Sequence, residues 1–368
     1  MKKTNIKIFA TFLSILIFFT FSSCSGDKDG YGPIFYNITR EVALEKAIVE
    51  GNVYSMVDAG TYLYTCNGYI YKKLAAQERN WEKATLADSM GVGNSVIRLA
   101  STDGYIYALT NSYRIYCAKI NSTNGDLENW TELSDNCATI TTEGNKTIEI
   151  FDNDAEYGTG KRRAFYSSSD GSLYEFSGTT AGTTALSYGT NLTKADDFLS
   201  STTYIPIKAA YISSADVTAV SNDMLLTSNR TSYLYHMKED YIYYSTDGSN
   251  WDYRTFDSSA PISLCYYTDG TNEWIYAGKK AGIEAIILNI GIPTTSISSS
   301  DVVGSNTTSC LGDSTTRVIG LYPYPQGSGN IYAASVIYYS STAASNKNRL
   351  WGYYPVRSNG ENNTWNRE

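Results

Sequence analysis

The residues that could do chemistry in this 368-residue chain are few and lie far apart. Its one histidine, His236, stands in the strand-like run Leu-Tyr-His-Met, with no nucleophile or metal-ligand motif beside it. Because histidine is the usual proton carrier near neutral pH, a single histidine inside a strand indicates packing more than acid–base catalysis. The sequence has no Cys-x-x-Cys or His-Glu-x-x-His motif, so it predicts no catalytic residue, no metal site and no cofactor.

Oxygen ligands cluster at one place, where Asp152, Asp154 and Glu156 alternate along the chain. This spacing is that of the first half of a calcium loop, which needs six or more oxygens and a closing carboxylate at its twelfth position. Arg163 stands at that position instead. We therefore interpret the segment as a solvated acidic loop that binds no metal.

A different chemistry, acylation, is indicated at Cys24. Residues 1–23 begin Met-Lys-Lys, continue as an apolar run and end on two serines, which is the pattern of an export signal. The apolar run is too short for a convincing membrane span. Either residues 1–23 are an ordinary signal peptide and Cys24 follows them by chance, or Cys24 is a lipid attachment site.

The motif Phe-Ser-Ser-Cys at 21–24 resembles the lipobox of bacterial lipoproteins, with phenylalanine in place of the usual leucine. The resemblance implies acylation of Cys24, removal of residues 1–23 and a membrane anchor through the N-terminal lipid. Residues 24–32 then form the lipidated cysteine and a flexible polar tether. Because Ser25 rather than aspartate follows the cysteine, the resemblance also favours the bacterial outer membrane, with the periplasmic and surface faces both open.

The chain is acidic, and the mature protein is more so. Removal of residues 1–23 takes away three lysines and lowers the formal net charge from −8 to −11. An acidic surface repels nucleic acid and anionic lipid headgroups. We therefore expect no nucleic-acid partner, and a lipid rather than electrostatic attraction would hold the protein at a membrane.

The five remaining cysteines predict no particular disulfide. They are Cys66, Cys117, Cys137, Cys265 and Cys310. An odd number cannot all pair within the chain. Three of them stand inside predicted strands, where a buried thiol acts as a small apolar side chain.

The elements that must carry these residues form a six-fold repeat. Each unit has four strand-like segments, and the second segment contains an apolar residue directly before a tyrosine. These steps are Leu63-Tyr64, Ile106-Tyr107, Phe165-Tyr166, Leu234-Tyr235, Ile275-Tyr276 and Ile331-Tyr332. Asn-Gly and Asp-Gly pairs lie between segments, where hairpin turns are needed. The repeat predicts an all-β fold, a β-propeller of six four-stranded blades over residues 33–368.

Seven blades are the alternative. Residues 191–215 separate the third unit from the fourth, whose first strand is predicted at 216–222. The segment 191–215 is either an insertion in a loop or a degenerate seventh blade. A single propeller domain follows from either interpretation.

Tryptophan marks the fourth strand in four of the units. These residues are Trp81, Trp130, Trp251 and Trp365. Because alternate side chains of a strand point to the same face, each unit can place one large aromatic ring in the seam between two blades. We predict that the four tryptophans are buried plugs of these seams.

The run Ser-Thr-Asp-Gly-Ser-Asn-Trp at 245–251 resembles the Asp-box of sialidase-type propellers, one residue short before its glycine. In that family the box is a structural turn, so the resemblance implies the fold and no catalysis. Sialidases also use three arginines to bind the substrate carboxylate. Here Arg98 and Arg317 stand on predicted first strands, and no third such arginine exists.

Tyrosine is abundant enough to serve binding as well as packing. Close tyrosine pairs occur at Tyr266-Tyr267, Tyr322-Pro-Tyr324, Tyr338-Tyr339 and Tyr353-Tyr354. Within each pair one ring would pack between blades and the other could bind a partner at a rim; packing of both is the alternative. We expect a non-catalytic propeller of the cell envelope that binds a protein or a glycan through its rim loops. A glycan-acting hydrolase and an outer-membrane assembly scaffold are the alternatives.

Overall fold

The structure, a computed structural model, covers most of the repeat region. It describes residues 49–90, 93–134, 137, 149–152, 162–167, 173–183, 211–212, 220–221, 225–228, 233–238, 241–246, 252–255, 261–280, 282–298, 302–312, 315–325, 327–337, 348–356 and 362–368. The chain divides into residues 1–48 and residues 49–368, and every described residue belongs to the second unit. Cys24, the signal, the tether and most of the segment 191–215 lie outside the described residues, so their boundaries stay predictions.

Short antiparallel strands make up almost all of the described residues. The first fourteen are β1 Ser55–Asp58, β2 Tyr62–Cys66, β3 Ile70–Leu74, β4 Glu82–Lys83, β5 Val96–Thr102, β6 Tyr105–Thr110, β7 Ile115–Ile120, β8 Leu127–Glu132, β9 Glu149–Asp152, β10 Ala164–Ser167, β11 Leu173–Ser177, β12 Thr180–Ala181, β13 Tyr211–Ile212 and β14 Val220–Ser221. The others are β15 Leu225–Ser228, β16 Leu234–Lys238, β17 Tyr241–Ser245, β18 Asp252–Thr255, β19 Ser263–Thr268, β20 Glu273–Lys279, β21 Gly282–Asn289, β22 Ile292–Ser298, β23 Thr316–Tyr322, β24 Ile331–Ile337, β25 Leu350–Tyr354 and β26 Thr364–Arg367. One short helix, α1 Thr307–Leu311, precedes β23.

The strands form six four-stranded sheets in which each strand pairs with the next along the chain. Blades 1 to 6 are β1–β4, β5–β8, β9–β12, β15–β18, β19–β22 and β23–β26. Within each blade we label the strands A to D from first to last. The prediction of six four-stranded blades is confirmed.

The first strand of blade 4 lies later in the chain than its sequence suggests. Strand A of this blade is β15, whose Leu225 pairs with Met237 and whose Ser228 pairs with Leu234. The prediction of 216–222 is therefore wrong. Val220 and Ser221 in that range pair instead with β13, in a separate two-stranded sheet. Only the pairing with strand B shows which segment is strand A of this blade.

The blades stand side by side in a closed ring. The A strands of neighbouring blades are in contact along the ring, in the pairs β1–β5, β5–β9, β15–β19, β19–β23 and β23–β1. The last pair joins blade 6 to blade 1. Apolar clusters fill five of the seams, those that join blades 1 to 2, 2 to 3, 4 to 5, 5 to 6 and 6 to 1, so the B strands of blades 1, 2, 5 and 6 are covered on both faces. All five residues of β2 are buried for this reason.

The repeated tyrosine of strand B explains how one blade is fixed to the next. All six tyrosines of the apolar–tyrosine steps are completely buried. In three seams the hydroxyl donates to a glycine carbonyl in the C–D turn of the following blade. These bonds are Tyr64 to Gly125 at 2.7 Å, Tyr107 to Gly178 at 2.8 Å and Tyr235 to Gly291 at 2.7 Å.

A second tyrosine, two residues earlier, packs against the same glycine. The ring of Tyr62 lies against Gly125, where an added Cβ would meet the ring at 2.4 Å, and Tyr233 lies against Gly291 in the same way at 2.2 Å. Both glycines have positive φ, +70° and +79°. Glycine is required at these turns both for the left-handed backbone and for the approach of the ring. We call this arrangement of two tyrosines and one glycine the tyrosine clamp.

The seam between blades 6 and 1 uses a buried ion pair instead. Lys73 on strand C of blade 1 donates to the hydroxyl of Tyr332, and its Nζ lies 3.8 Å from Oε2 of Glu368. That carboxylate also accepts hydrogen bonds from Trp81 at 2.9 Å and from Tyr354 at 2.7 Å. Burial lowers the pKa of Lys73 and raises the pKa values of Tyr332 and Tyr354 well above the ordinary value. Since a buried charge needs a partner, each of these side chains depends on the others.

The tyrosine clamp predicts a difference between two glycines that share positive φ. Gly125→Ala should lower the free energy of unfolding by about 2–4 kcal/mol, because it adds both left-handed strain and a clash with Tyr62. Gly104→Ala is the matched control, because its φ is +91° and an added Cβ there would meet nothing within 4 Å. It should cost only the strain, about 1 kcal/mol. Urea unfolding of both variants measures the two losses, and equal losses would contradict the clamp.

Candidate functional site

The axis of the ring, where the A strands converge, holds a small cavity. Its volume is about 70 Å³, and its lining comes from strands β1, β5, β9, β19 and β23 and the residues next to them. One water molecule needs roughly 10–15 Å³ by this measure. The cavity therefore has room for a few waters and is too small for a sugar ring.

Arg98, one of the two arginines predicted on A strands, lines this cavity. Arg98 lies on β5 and is buried, and its Nη1 donates to the backbone carbonyls of Tyr54 at 2.9 Å and Ile97 at 3.0 Å. Arg317 also lies on an A strand, β23, where it forms an isolated bridge with Lys280. The guanidinium of Arg98 thus helps to hold the inner strands together.

Two carboxylates near the axis are similarly engaged. Asp152, at the end of β9, accepts hydrogen bonds from the backbone N–H and the hydroxyl of Ser101, both at 2.8 Å. Asp58, at the end of β1, accepts from the N–H of Gly60 at 2.7 Å and lies 3.2 Å from the guanidinium of Arg162. These contacts connect the A strands of blades 1, 2 and 3.

The acidic segment after Asp152 is beyond what the structure describes, since residues 153–161 are outside the described ranges. Within those ranges, no three His, Cys, Asp or Glu side chains come together in a way that could hold a metal ion. His236 lies on strand B of blade 4, as its sequence context predicts. The Asp-box-like run is described only as far as residue 246.

All five cysteines of the propeller are buried thiols that take part in no disulfide. Burial raises the pKa values of Cys66, Cys117 and Cys137 to about 12. A thiol with so high a pKa carries almost no thiolate near neutral pH and is a poor nucleophile. These cysteines therefore act as apolar packing groups.

The tryptophans of the D strands divide into two kinds. Trp81 and Trp365 are buried in seams, as predicted. Trp130 is only half-buried, in the middle of β8, where the register with β7 shifts between Cys117 and Lys119. Its indole N–H donates to the carbonyl of Thr85 at 2.9 Å. Trp130 thus packs against the apolar cluster between blades 1 and 2, as a seam residue should, but it is not fully buried as predicted. Trp251 lies outside the described residues.

The close tyrosine pairs of the sequence are mostly packing groups. Both rings are buried at Tyr322 and Tyr324 and at Tyr353 and Tyr354. At the third described pair Tyr267 is buried and Tyr266 is half-buried. The pairs at 322–324 and 353–354 therefore contribute no exposed ring, and residues 338–339 are not described.

Exposed tyrosines occur elsewhere, on the outer strands of blade 4. Tyr241 and Tyr243 on strand C and Tyr253 on strand D form a cluster with ring centroids 5.6–6.2 Å apart. Tyr253 is 54% exposed and the other two are half-buried. We call these three residues the blade-4 tyrosine cluster.

Strand alternation fixes the direction of the cluster. Ile242 and Tyr244 point to the opposite face, where they pack against blade 5. The charged residues of β18 also belong to that face, and Asp252 there accepts a hydrogen bond from Tyr244 at 2.7 Å. The cluster therefore lies on the face of blade 4 that points away from blade 5. The sequence holds the alternation that places these rings on one face, but it does not say that the face is exposed.

One family accounts for most of the chain. The TP013X lipoprotein family matches residues 5–312. This chain belongs to the TP013X lipoprotein family. As a member of it, the protein is a membrane-associated lipoprotein of the cell envelope. Across the described ranges, no helix has the length and apolar character needed to cross a bilayer.

A sequence relative agrees with the family. The chain is 35% identical to an uncharacterized lipoprotein of Treponema pallidum (strain Nichols) over 72 residues, which are 19% of this chain and 18% of that protein. The chain therefore spans about a fifth of the length of the curated relative it matches.

Solved structures with a similar arrangement of strands share 11% identity with this chain. They include a luciferin-regenerating enzyme, with a TM-score of 0.46 over 84% of this chain and 93% of that chain. YCF48 bound to D1 peptide has a TM-score of 0.49 over 83% of this chain and 94% of that chain. With TM-scores below 0.5, these likenesses add nothing to the argument on function.

The two kinds of tryptophan lead to a stability prediction. Trp365→Ala should lower the free energy of unfolding by roughly 3–5 kcal/mol, the usual loss for a buried large aromatic side chain. Trp130→Ala is the matched control on another D strand and should cost less, roughly 1–2 kcal/mol, because its ring is only partly buried against the seam cluster and makes one hydrogen bond. Chemical denaturation measures both. A loss at Trp130 as large as at Trp365 would show that the two rings pack alike.

Proposed function

We propose that this protein is a lipid-anchored propeller of the bacterial outer membrane that binds a protein or a glycan and catalyses no reaction. The observation that carries the proposal is the blade-4 tyrosine cluster, three neighbouring rings on one face of a sheet, of which Tyr253 is 54% exposed. Exposed tyrosines supply a large contact area at low entropic cost, because each ring has only two rotatable bonds. Aromatic residues are enriched in protein interfaces for this reason.

The axis supports binding over hydrolysis. A glycosidase needs two carboxyl groups on either side of the scissile bond, with space for the sugar between them. Among the carboxylates that the structure describes, Asp58 and Asp152 lie near this axis; Asp58 is engaged by Gly60 and Arg162, and Asp152 by Ser101 of the neighbouring blade. The adjoining cavity of about 70 Å³ also leaves no space for a sugar. These two facts favour the binding function over the glycan-acting alternative.

The sequence supports the anchor that the proposal requires. Residues 1–23 would be removed, Cys24 would carry the lipid, residues 24–32 would form the tether, and residues 33–368 the propeller with its insertion at 191–215. Cys24→Ala should abolish labelling by a radioactive fatty acid and release the protein into the soluble envelope fraction. Cys66→Ala is the control that keeps both properties, since Cys66 is buried in the ring. A Cys24→Ala protein that stays in the membrane fraction would argue against the anchor.

The binding function is tested on the mature chain with Cys24→Ala, purified without its lipid. A photo-crosslinking amino acid in place of Tyr253 should yield adducts in envelope extracts, or the protein should bind members of an immobilised glycan panel. The double variant Tyr241→Ser, Tyr253→Ser should weaken that capture at least tenfold, since each lost aromatic anchor typically costs more than 1 kcal/mol.

Tyr69→Ser is the matched control, because Tyr69 is 41% exposed on the distant blade 1. It should bind as the unchanged protein does. Equal loss in both variants, or no capture by either assay, would contradict the proposed site. Turnover of a glycan by the purified protein, lost on Asp152→Asn, would establish the enzyme alternative instead.

A further inference from the structure

The seam between blades 6 and 1 places both charges of an ion pair out of reach of water. The side chains of Lys73 and Glu368 are each 0% exposed. Among the ion pairs that the structure describes, this is the one whose two side chains are both completely buried. The closure of this seam therefore depends on the charge state of its own side chains.

The ammonium group of Lys73 is enclosed by groups of both blades. Its Nζ donates to the carbonyl of Gln77 at 2.7 Å and to the hydroxyls of Tyr332 and Tyr354. The rings of Trp81, Tyr332 and Tyr354 lie with their centroids 4.8–5.6 Å from Nζ. Such rings attract a cation but do not neutralise it. We call Lys73, Trp81, Tyr332, Tyr354 and Glu368 the latch.

Two acidic side chains influence Lys73. Glu368 pairs with it across the seam, and Glu78, half-buried in the C–D turn of blade 1, favours its charge as well. Burial has the larger effect and lowers the pKa of Lys73 below the ordinary value of 10.5. As the pH falls, the unfolded chain therefore takes up this proton before the folded ring does, and the ring loses stability. Acid thus acts against the seam, and the carboxylate of Glu368 offsets this effect.

A proton on Glu368 would weaken both contacts that this side chain makes to blade 1. Lys73 would become a buried cation without its paired carboxylate, which is strongly unfavourable. The second contact is the hydrogen bond from the indole N–H of Trp81 to Oε2, at 2.9 Å. It is strongest while the oxygen is charged.

The backbone beside this seam is joined in a different way. Residues 49–53, which we call the strap, precede strand A of blade 1 and lie against blade 6. The backbone of the strap and the side chain of Asn52 form hydrogen bonds of 2.8–3.2 Å with strands B and C of blade 6. The strap also has an ion pair, Glu50 with Arg349 at 3.8 Å, but Glu50 is 66% exposed and the pair adds little. Blade 6 therefore stays attached to blade 1 by neutral bonds when the latch changes its charge.

We propose that the seam between blades 6 and 1 opens when Glu368 takes up a proton, while the strap and the other seams stay closed. The seam between blades 5 and 6, by comparison, is joined by a neutral bond from the hydroxyl of Tyr267 to the carbonyl of Gly329 at 2.8 Å. A tyrosine–glycine bond contains no group that gains a proton in acid. Opening would expose the rings of the latch, which the closed ring buries. The proposal is independent of the lipid anchor and of the partner-binding site.

Two neighbouring alanines on strand B of blade 6 allow the two seams of that blade to be compared. Ala333 and Ala334 are both 0% exposed, and Ala334 belongs to the apolar cluster between blades 6 and 1, whereas Ala333 belongs to the cluster between blades 5 and 6. None of the buried native cysteines belongs to the cluster between blades 6 and 1. A cysteine at each alanine therefore reports on one seam, and the native thiols serve as internal standards.

The test uses the mature chain with Cys24→Ala and a dithiodipyridine, which reacts with thiols in acid as well. The pH is lowered from about 8 to about 4, short of the global unfolding that circular dichroism detects. Labelling of Ala334→Cys should rise by roughly tenfold or more relative to Ala333→Cys, because loss of one partner of a buried ion pair strongly favours opening. The ratio cancels the effect of pH on the reagent. An equal rise at both positions, or no rise at either, would overturn the proposal.

Two variants of the latch separate opening from unfolding. Glu368→Gln mimics the uncharged carboxyl group and should label Ala334→Cys near neutral pH as fast as the unchanged latch does in acid. Lys73→Met combined with Glu368→Gln removes both charges and should label slowly at every pH, because an uncharged pair needs no partner. Glu368→Gln in which every cysteine labels at once would show that the whole ring unfolds and would overturn the proposal. So would a double variant that keeps the response to acid.

A second pair of positions on blade 1 repeats the comparison if Ala334→Cys does not fold. Ala75 is 8% exposed in the cluster between blades 6 and 1, and Ala84 is 7% exposed in the cluster between blades 1 and 2. Both follow the end of a strand, where a larger side chain is accommodated more easily. Acid should favour labelling of Ala75→Cys over Ala84→Cys, and equal labelling of the two would contradict a latch at this seam.

Discussion

Four seams of the ring depend on a buried polar group in one blade that reaches the next. In three seams this group is the buried tyrosine of strand B, whose hydroxyl meets a glycine carbonyl in the following C–D turn. An unpaired hydroxyl at such a buried site would cost more than the bond itself gains. The two neighbouring blades therefore have one favourable alignment, the one in which this hydroxyl meets its carbonyl. The turn that carries the glycine is fixed at the same time, so the loops of one blade are positioned by the core of its neighbour.

The last seam shows what the ring requires where the chain cannot repeat its pattern. Blade 6 meets blade 1 through Lys73, Glu368 and the two tyrosines beside them. A buried ion pair adds little net stability, but removal of either partner leaves an uncompensated buried charge and is strongly destabilising. With the ring closed in this way, the surfaces free to act are its rims and its outer strands. Tyr253 on strand D of blade 4 and Ile290 in the C–D turn of blade 5 are both exposed on such surfaces.

The features that recur in every blade can be predicted from the sequence, whereas the features of single blades cannot. The apolar–tyrosine step recurs in every blade, so six four-stranded sheets could be inferred from spacing alone. The start of blade 4 could not, because 216–222 and Leu225–Ser228 both precede strand B and only pairing selects one. Trp130 follows the same pattern as Trp365, yet its ring is only partly buried. The exposure of Tyr253 and Ile290 depends on which neighbours cover them, and a linear pattern does not contain that information.

The tyrosine clamp has a consequence for how such rings can change in evolution. A unit that contains both a strand-B tyrosine and a C–D turn glycine carries the donor for the seam ahead of it and the acceptor for the seam behind it. This is a head-to-tail joint, which can extend by whole units until the rotation closes. Duplication of one unit would supply a complete new joint without any new side chain. The Lys73–Glu368 seam is different, because its partners come from the two ends of the ring, and it would have to be kept once in any enlarged descendant.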